Sequence, residues 1–277
     1  MNEPTIRRNE PLSKHTAWRT GGRCDLWMVA HDEQQLQAAF ARCREEELAW
    51  TIVGAGTRIV ARDGGFSGAI IRLGTGFSQF SHKEERWTAG AGVPIPALAM
   101  SAAWAGFSGL EELLPTPGSV GAALMLDPGP GGGFAEIVQS ITYLHRGKER
   151  TSGFAEFKAS GSKAVVLSAV FGLKPDRPEE VVRRSVARLA SGGRAVPPSC
   201  WLVPPKRAVL REILERAGLS DVRLREVVIP ASAPEMLVNL GGGTAKDLAL
   251  LHQSAIERTR RELGVELQSK ISWIGRA

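Results

Sequence analysis

The chain has 277 residues, of which 43% are apolar and 23% charged, and a formal net charge of +6. That mixture describes a globular protein with roughly two or three modest cores, excludes extensive disorder, and leaves every apolar stretch short of the ~18 residues of a membrane-spanning helix. The positive charge is dispersed and only one tyrosine is present to interleave with it, so the composition suits anionic small molecules better than nucleic acid.

From the N-terminus, the polar residues after Met1 show no secretory leader. Residues 11–22 read as a loop with paired glycines, followed by a strand carrying Leu26, Trp27, Met28 and Val29. Asp32 with Gln35 forms a capping-box pattern, opening a helix with Leu36, Phe40 and Cys43 at helical spacing. A short strand over 50–53 runs into Gly54-Ala55-Gly56-Thr57-Arg58, and strand resumes at 59–60 and at 68–73 beyond a turn at Asp63-Gly64-Gly65. No helix opens behind this Gly-x-Gly, which excludes the Rossmann dinucleotide fingerprint. Gly90-Ala91-Gly92-Val93 leads into a helix over 95–104.

The stretch 109–133 is the centre of the chain. Pro117-Gly118-Ser119-Val120-Gly121 sets two glycines around a hydroxyl, between apolar Leu110, Leu113 and Leu114 and the apolar run 122–126. Glycines beside buried segments mark sharp bends or close approach, and bare N–H groups in such a bend form a nest for an anion. The loop at Gly54 is of the same kind. Together the two loops are expected to hold the diphosphate of one nucleotide cofactor; two tight structural turns are the plainer alternative.

Strands are expected over 138–144 and 164–173, with a hairpin turn near Gly147. Pro175 and Pro178 mark the plainest boundary. After it come helices over 179–190 and 207–217, the second closed by Gly218, and short apolar runs at 227–229 and 236–240. Thr244 with Asp247 caps a long amphipathic helix bearing Leu248, Leu251, Ala255, Ile256 and Leu263, ended by Gly264. The last segment, 265–274, alternates as one strand, with Val265, Leu267, Ile271 and Trp273 on one face and Glu266, Gln268 and Lys270 on the other. Cys24, Cys43 and Cys200 are too few and too widely spaced for a disulfide framework or a metal knuckle; no metal is expected, and a reducing cytoplasm is.

These segments together resemble the UDP-N-acetylenolpyruvoylglucosamine reductase family, from about Asn9 to Gly275. His15-Thr16-Ala17-Trp18-Arg19-Thr20-Gly21-Gly22 looks like its opening HTxxRxGG, 53–63 is similar to LGxGSNxLVxD, and 117–123 to PGTVGGA. Val238-Asn239 with Thr244-Ala245 resembles IVN…ATA, and 267–275 falls where the family carries LExEVxxIG. The resemblance implies an α+β fold. A two-lobed FAD-binding domain of the PCMH type would cover 1–176 (lobes of about 1–75 and 76–176), and a small α+β substrate domain 177–277. It implies an oxidoreductase that reduces UDP-N-acetylglucosamine enolpyruvate to UDP-N-acetylmuramate for peptidoglycan, with NADPH as co-substrate and a nucleotide sugar as partner, in the cytoplasm. FAD would be bound non-covalently, since Arg62-Asp63-Gly64-Gly65-Phe66 lacks the histidine by which related oxidases tether it. The cofactor-binding residues would be Gly54, Ala55, Gly56, Thr57, Arg58, Pro117, Gly118, Ser119, Val120 and Gly121.

At the chemical positions the chain departs from the family. The arginine of YRxS, which holds the substrate carboxylate, is Lys158, a point charge in place of a bidentate fork. The proton donor of GSxFxNP falls on Cys200 when the alignment is anchored on Pro205, and on Ser199 when anchored on Pro204. The second glutamate of LExEV is Lys270. MNAG reads Leu126-Asp127-Pro128-Gly129, HxNF reads Ala233-Pro234-Glu235-Met236, and Ala122 replaces a paired glycine. Joint replacement also fits a repurposed relative that keeps the scaffold and a nucleotide or flavin ligand without the activity.

Overall fold

The computed structural model describes residues 3–116, 118–126, 134–161, 164–190, 201–205 and 208–276. In chain order the first elements are β1 (Thr5–Pro11), β2 (Arg23–Ala30), α1 (Glu33–Glu45), β3 (Trp50–Val53), β4 (Ile59–Ala61), β5 (Phe66–Leu73), β6 (Phe80–Lys83) and β7 (Arg86–Gly90). Next come α2 (Ile95–Trp104), β8 (Phe107–Ser108), α3 (Val120–Leu126), α4 (Phe134–Ile137), β9 (Val138–His145), β10 (Lys148–Ser152), α5 (Phe154–Ala159), β11 (Val165–Gly172) and β12 (Lys174–Pro175). Last are α6 (Pro178–Ala190), β13 (Leu202–Val203), α7 (Leu210–Arg216), β14 (Val222–Leu224), β15 (Val227–Ile229), β16 (Val238–Asn239), α8 (Ala245–Leu263), β17 (Gln268–Ser269) and β18 (Ser272–Ile274). The architecture is α+β, as expected.

By contact the chain forms two compact units: Met1–Thr5, Val29–Arg42 and Ile71–Ala195, and Ile6–Met28, Cys43–Ile70 and Val196–Ala277. They interleave along the chain, where the sequence suggests a domain boundary after residue 176 and a division into lobes near residue 75. Helix α6 lies beyond that domain boundary yet belongs to the first unit, because Arg184 bonds Glu111 at 3.0 Å and Asp176 at 2.6 Å while Val181 and Ser185 are buried.

The first unit is built on an antiparallel sheet in the order β10-β9-β11-β7-β6. Alternate residues of its strands face one core: Trp87 and Ala89, Ile141 and Tyr143, Ala169 and Phe171. The register Ala169↔Ala89 and Phe171↔Trp87 keeps those side chains on one face. Leu98 and Ala102 of α2, Val120 and Leu124 of α3 and Phe157 of α5 cover it. The β9–β10 hairpin turns at Arg146 (φ 52°) and Gly147 (φ 75°), two left-handed residues as a tight two-residue turn requires.

The second unit holds β3 and most of β1, β2 and β5, which form a four-stranded sheet in the order β1-β2-β5-β3. Its other core gathers Trp18, Trp201, Leu202, Ile213, Leu214, Val227 and Ile229 around the apolar stripe of α8, Leu248, Leu251 and Ala255. Burial stabilises each of those two leucines by roughly 2 kcal/mol. The start of α8 is the expected capping box, with Thr244 Oγ1 accepting from the Asp247 N–H and the Asp247 carboxylate from the Thr244 N–H. Its end is Gly264 in the left-handed conformation (φ 65°).

The single strand expected over 265–274 is two short ones. Segment β17 pairs antiparallel with β13, whereas β18 pairs parallel with β4. The switch falls at Lys270 and Ile271: the Lys270 N–H donates to Trp201 O (2.9 Å), the Ile271 N–H to Ser269 Oγ (3.2 Å) and the Ser272 N–H to Arg58 O (2.8 Å). Alternation in the sequence survives such a change of partner, which is why it does not betray the break. The helix expected over 207–217 is also shorter, running from Leu210 to Arg216.

Candidate functional site

The loop joining β3 to β4 lies in the second unit. Gly56 has φ 68°, and a Cβ there would sit 2.1 Å from His15 O, so a side chain is excluded by conformation and by space. The Ala17 N–H donates to Gly56 O at 3.0 Å, and Arg58 O receives the Ser272 N–H. The loop is thus held through its carbonyls. The N–H groups of Gly54, Ala55, Gly56 and Thr57 donate to no acceptor among the described residues. Four successive free donors on a bend held open from behind are the arrangement that binds a phosphate.

The second loop opens α3 in the first unit. Gly118 has φ 125°, and its carbonyl receives the Ile95 N–H at 3.0 Å. The Val120 N–H donates to Val93 O (2.9 Å) and the Gly121 N–H to Ala91 O (2.8 Å). A Cβ on Gly121 would lie 2.8 Å from Ala91 Cβ. Val120 and Gly121 therefore fix the bend, and the N–H groups of Gly118 and Ser119 are those left without an acceptor among the described residues. Pro117 lies outside the described residues.

Each loop by itself fits the diphosphate of FAD. When bound, FAD supplies hydride transfer at its flavin ring. In the second unit the amides of residues 54–57 would hold phosphate oxygens; in the first, those of Gly118 and Ser119 would do so.

Lys158 belongs to the first unit. It is exposed on α5, and its Nζ donates to Met125 O at 2.9 Å while lying 5.9 Å from the Phe154 ring centroid. Met125 is in the last turn of α3, so a cation sits at the C-terminal end of the helix whose first turn is the glycine loop. Lys270 belongs to the second unit and is half-buried. The register Leu202↔Ser269, continued by the bond from Lys270 to Trp201 O, sets Lys270 against the residue that follows Cys200 in the chain. Ser199 and Cys200 themselves lie outside the described residues, as do 127–129.

Several residues of the family-like motifs build rather than react. Trp18 Nε1 donates to Leu237 O (2.7 Å), and Asn239 Nδ2 donates to Trp18 O (2.7 Å) and Gly243 O (3.0 Å). Asn239 Oδ1 receives the Gly241 and Gly243 N–H groups, so the amide is fully used in closing this turn. Asp63 reaches the start of α8: its Oδ1 accepts from the Ala245 N–H (3.0 Å) and its Oδ2 from the Lys246 N–H (3.1 Å). Backbone hydrogen bonds from Thr244 hold the Asp247 carboxyl below the usual carboxylate range.

Residues not anticipated from the sequence form two further clusters. In the second unit, burial pushes His252 down to about 4; its ring lies 5.7 Å from that of Trp201 and 5.8 Å from that of Trp273. In the first, a cavity of about 400 Å³ has Glu33, Glu149, Ser81, Thr88, Thr142 and Ser168 among its lining residues. Loss of solvation, then the charge and hydrogen bond of Glu149, raise the Glu33 carboxyl. Nothing in local sequence flags either cluster, since each gathers residues far apart in the chain.

Among the described residues, no helix is long and apolar enough to cross a membrane. The family described as an FAD binding domain matches residues 25–146 of this α+β chain, which sets it in the class of FAD-binding proteins. Whole-chain likeness goes further. A UDP-N-acetylenolpyruvoylglucosamine reductase of Rubrobacter xylanophilus is 32% identical over 98% of this chain and 96% of the relative. That of Heliobacterium modesticaldum is 31% identical over 97% of this chain and 90% of the relative. The crystal structure of the Thermus caldophilus reductase superposes with a TM-score of 0.79 at 25% identity, covering 99% of each chain. The chain belongs to the UDP-N-acetylenolpyruvoylglucosamine reductase family.

Proposed function

We propose that the chain reduces UDP-N-acetylglucosamine enolpyruvate to UDP-N-acetylmuramate in the cytoplasm, with NADPH as electron donor and FAD as its non-covalent cofactor. The observation that carries this reading is likeness to reductases of that name over 97–98% of the chain; the open amides at Gly54 to Thr57 add a place for the diphosphate.

The net reaction adds a hydride and a proton across the enolpyruvyl double bond and oxidises NADPH to NADP⁺. The chain's own tasks are to hold the substrate, place its carboxylate and deliver the proton. Lys158 is the cation for the carboxylate. A thiol or hydroxyl at Cys200 or Ser199 delivers the proton. Lys270 supplies an ammonium that steadies the negative charge developing beside the carboxylate.

The purified protein is expected to be yellow and to release FAD on denaturation. Under anaerobic conditions NADPH should bleach it, and UDP-N-acetylglucosamine enolpyruvate should restore the colour. Bleaching that the enolpyruvyl sugar nucleotide leaves unreversed refutes the assigned substrate, and a colourless protein that takes up no added FAD refutes the cofactor.

A further inference from the structure

We infer that His15, clamped by Glu10 and Trp27, is the positioning residue that holds the 54–58 loop in its phosphate-binding shape. The inference rests on the reading of that loop as the FAD diphosphate nest.

The imidazole of His15 has little freedom. One face stacks on Trp27, with ring centroids 3.7 Å apart and planes inclined by 16°. Its Nε2 is 3.0 Å from Glu10 Oε1. Both supports are firm, Trp27 being 2% and Glu10 8% exposed on the neighbouring strands β2 and β1. Arg7 Nη1 approaches the same Glu10 oxygen at 3.5 Å, and Cys24 Sγ bonds Glu10 O at 3.6 Å. The main chain is tied as well, by the His15 N–H to Leu12 O (2.9 Å) and the Leu12 N–H to Gly22 O (2.9 Å).

The consequence appears on the other side of the same residue. His15 O faces the α-carbon of Gly56 so closely that no Cβ fits between them, and two residues on Ala17 donates to Gly56 O. Residues 15 and 17 thus grip Gly56 from two directions. The free amides of 54–57 would relax towards internal acceptors if the loop were loose. A grip from behind prevents this, so the loop is shaped before the phosphate arrives and the ordering cost of binding is small. The His15 side chain reaches the loop only through its own backbone.

The test is the rate of FAD release from the holoenzyme, read as the rise in flavin fluorescence on dilution, with melting temperature measured in parallel. Gly56→Ala is the reference for the loop and is expected to lose FAD. His15→Ala is expected to speed release about tenfold, through loss of a half-buried hydrogen bond and its stacking. Glu10→Ala should do much the same, and the double variant little more, since both act through one clamp. His15→Gln, which keeps a donor for Glu10, should fall between wild type and His15→Ala and remains informative if the alanine variant does not fold. Ile213→Val, a buried change in the same unit, should lower the melting temperature without speeding release. The clamp is overturned if Gly56→Ala sheds FAD while the His15 variants release it at the wild-type rate. It is equally overturned if Ile213→Val speeds release in proportion to its loss of stability. Should Gly56→Ala also keep FAD at the wild-type rate, the nest reading itself falls.

Discussion

Replacing Asp63 by alanine removes the only side chain among the described residues that bonds the first two amides of α8. Oδ1 accepts from Ala245 at 3.0 Å and Oδ2 from Lys246 at 3.1 Å, while Thr244 serves the Asp247 amide and its carbonyl receives the Leu248 N–H. The capping box therefore cannot take over, because its acceptors are already engaged. Losing a helix-capping acceptor costs about 1 kcal/mol, and losing an anion beside the positive end of the helix about 0.5 kcal/mol more. Ala245 is only 3% exposed, so water replaces its lost acceptor poorly. The expected total is about 2 kcal/mol. For a chain of 277 residues this corresponds to a fall in melting temperature of about 3–4 °C. Urea unfolding should show a lower midpoint with an unchanged slope, and Asp63→Asn, which keeps one acceptor oxygen, should lose about half as much. A cost below about 0.3 kcal/mol for alanine, or equal costs for the two variants, would refute the capping argument.

Three further outcomes are expected. His252 has a folded pKa of about 4 against an ordinary 6.5, so the unfolded chain binds its proton first and stability falls as the pH is lowered through that window. The loss between pH 6.5 and 4 is about 3 kcal/mol, and His252→Gln should remove that part of the acid sensitivity; an unchanged pH profile would sink the assignment. Lys270→Glu, which replaces the ammonium assigned to the developing negative charge by a carboxylate, should lower turnover with the enolpyruvyl substrate; raised turnover would mean that the ammonium has no such part. Gly121→Ala places a methyl 2.8 Å from Ala91 Cβ and should displace the start of α3, costing about 1–3 kcal/mol in thermal unfolding, whereas a neutral result would show that the bend has slack.

Local signals read well where one element supplies both pattern and cap. Thr244, Asp247 and Gly264 bound α8 as their spacing implies, and α2 runs from Ile95 to Trp104 as its apolar content suggests. At Asp32 and Gln35 the Gln35 N–H donates to Asp32 Oδ1 as a capping box requires, and Gln35 Oε1 also accepts from the His31 N–H. Strand β6 went unpredicted. Its four residues, Phe80-Ser81-His82-Lys83, are all exposed and carry no apolar alternation, and only pairing with β7 makes them a strand. The second glycine loop shows a similar limit at the candidate site. Its sequence suggests a nest of bare amides, whereas those of Val120 and Gly121 are engaged by Val93 and Ala91, residues some 30 positions earlier in the chain.

What the sequence by itself determined is the family, the α+β class, the helix caps and the two bends where glycine is required, because each follows from spacing within a short window or from motifs in a fixed order. What only the tertiary structure decided is which groups those bends leave free. It also decided that Asp63 serves a helix start 182 residues away, that His15 stands behind Gly56, and that the last strand changes partner at Lys270. Hydrogen-bond donors and acceptors are chemically alike all along a chain. Which of them meet is a property of packing, so residue type announces the capacity and the fold alone assigns the partner.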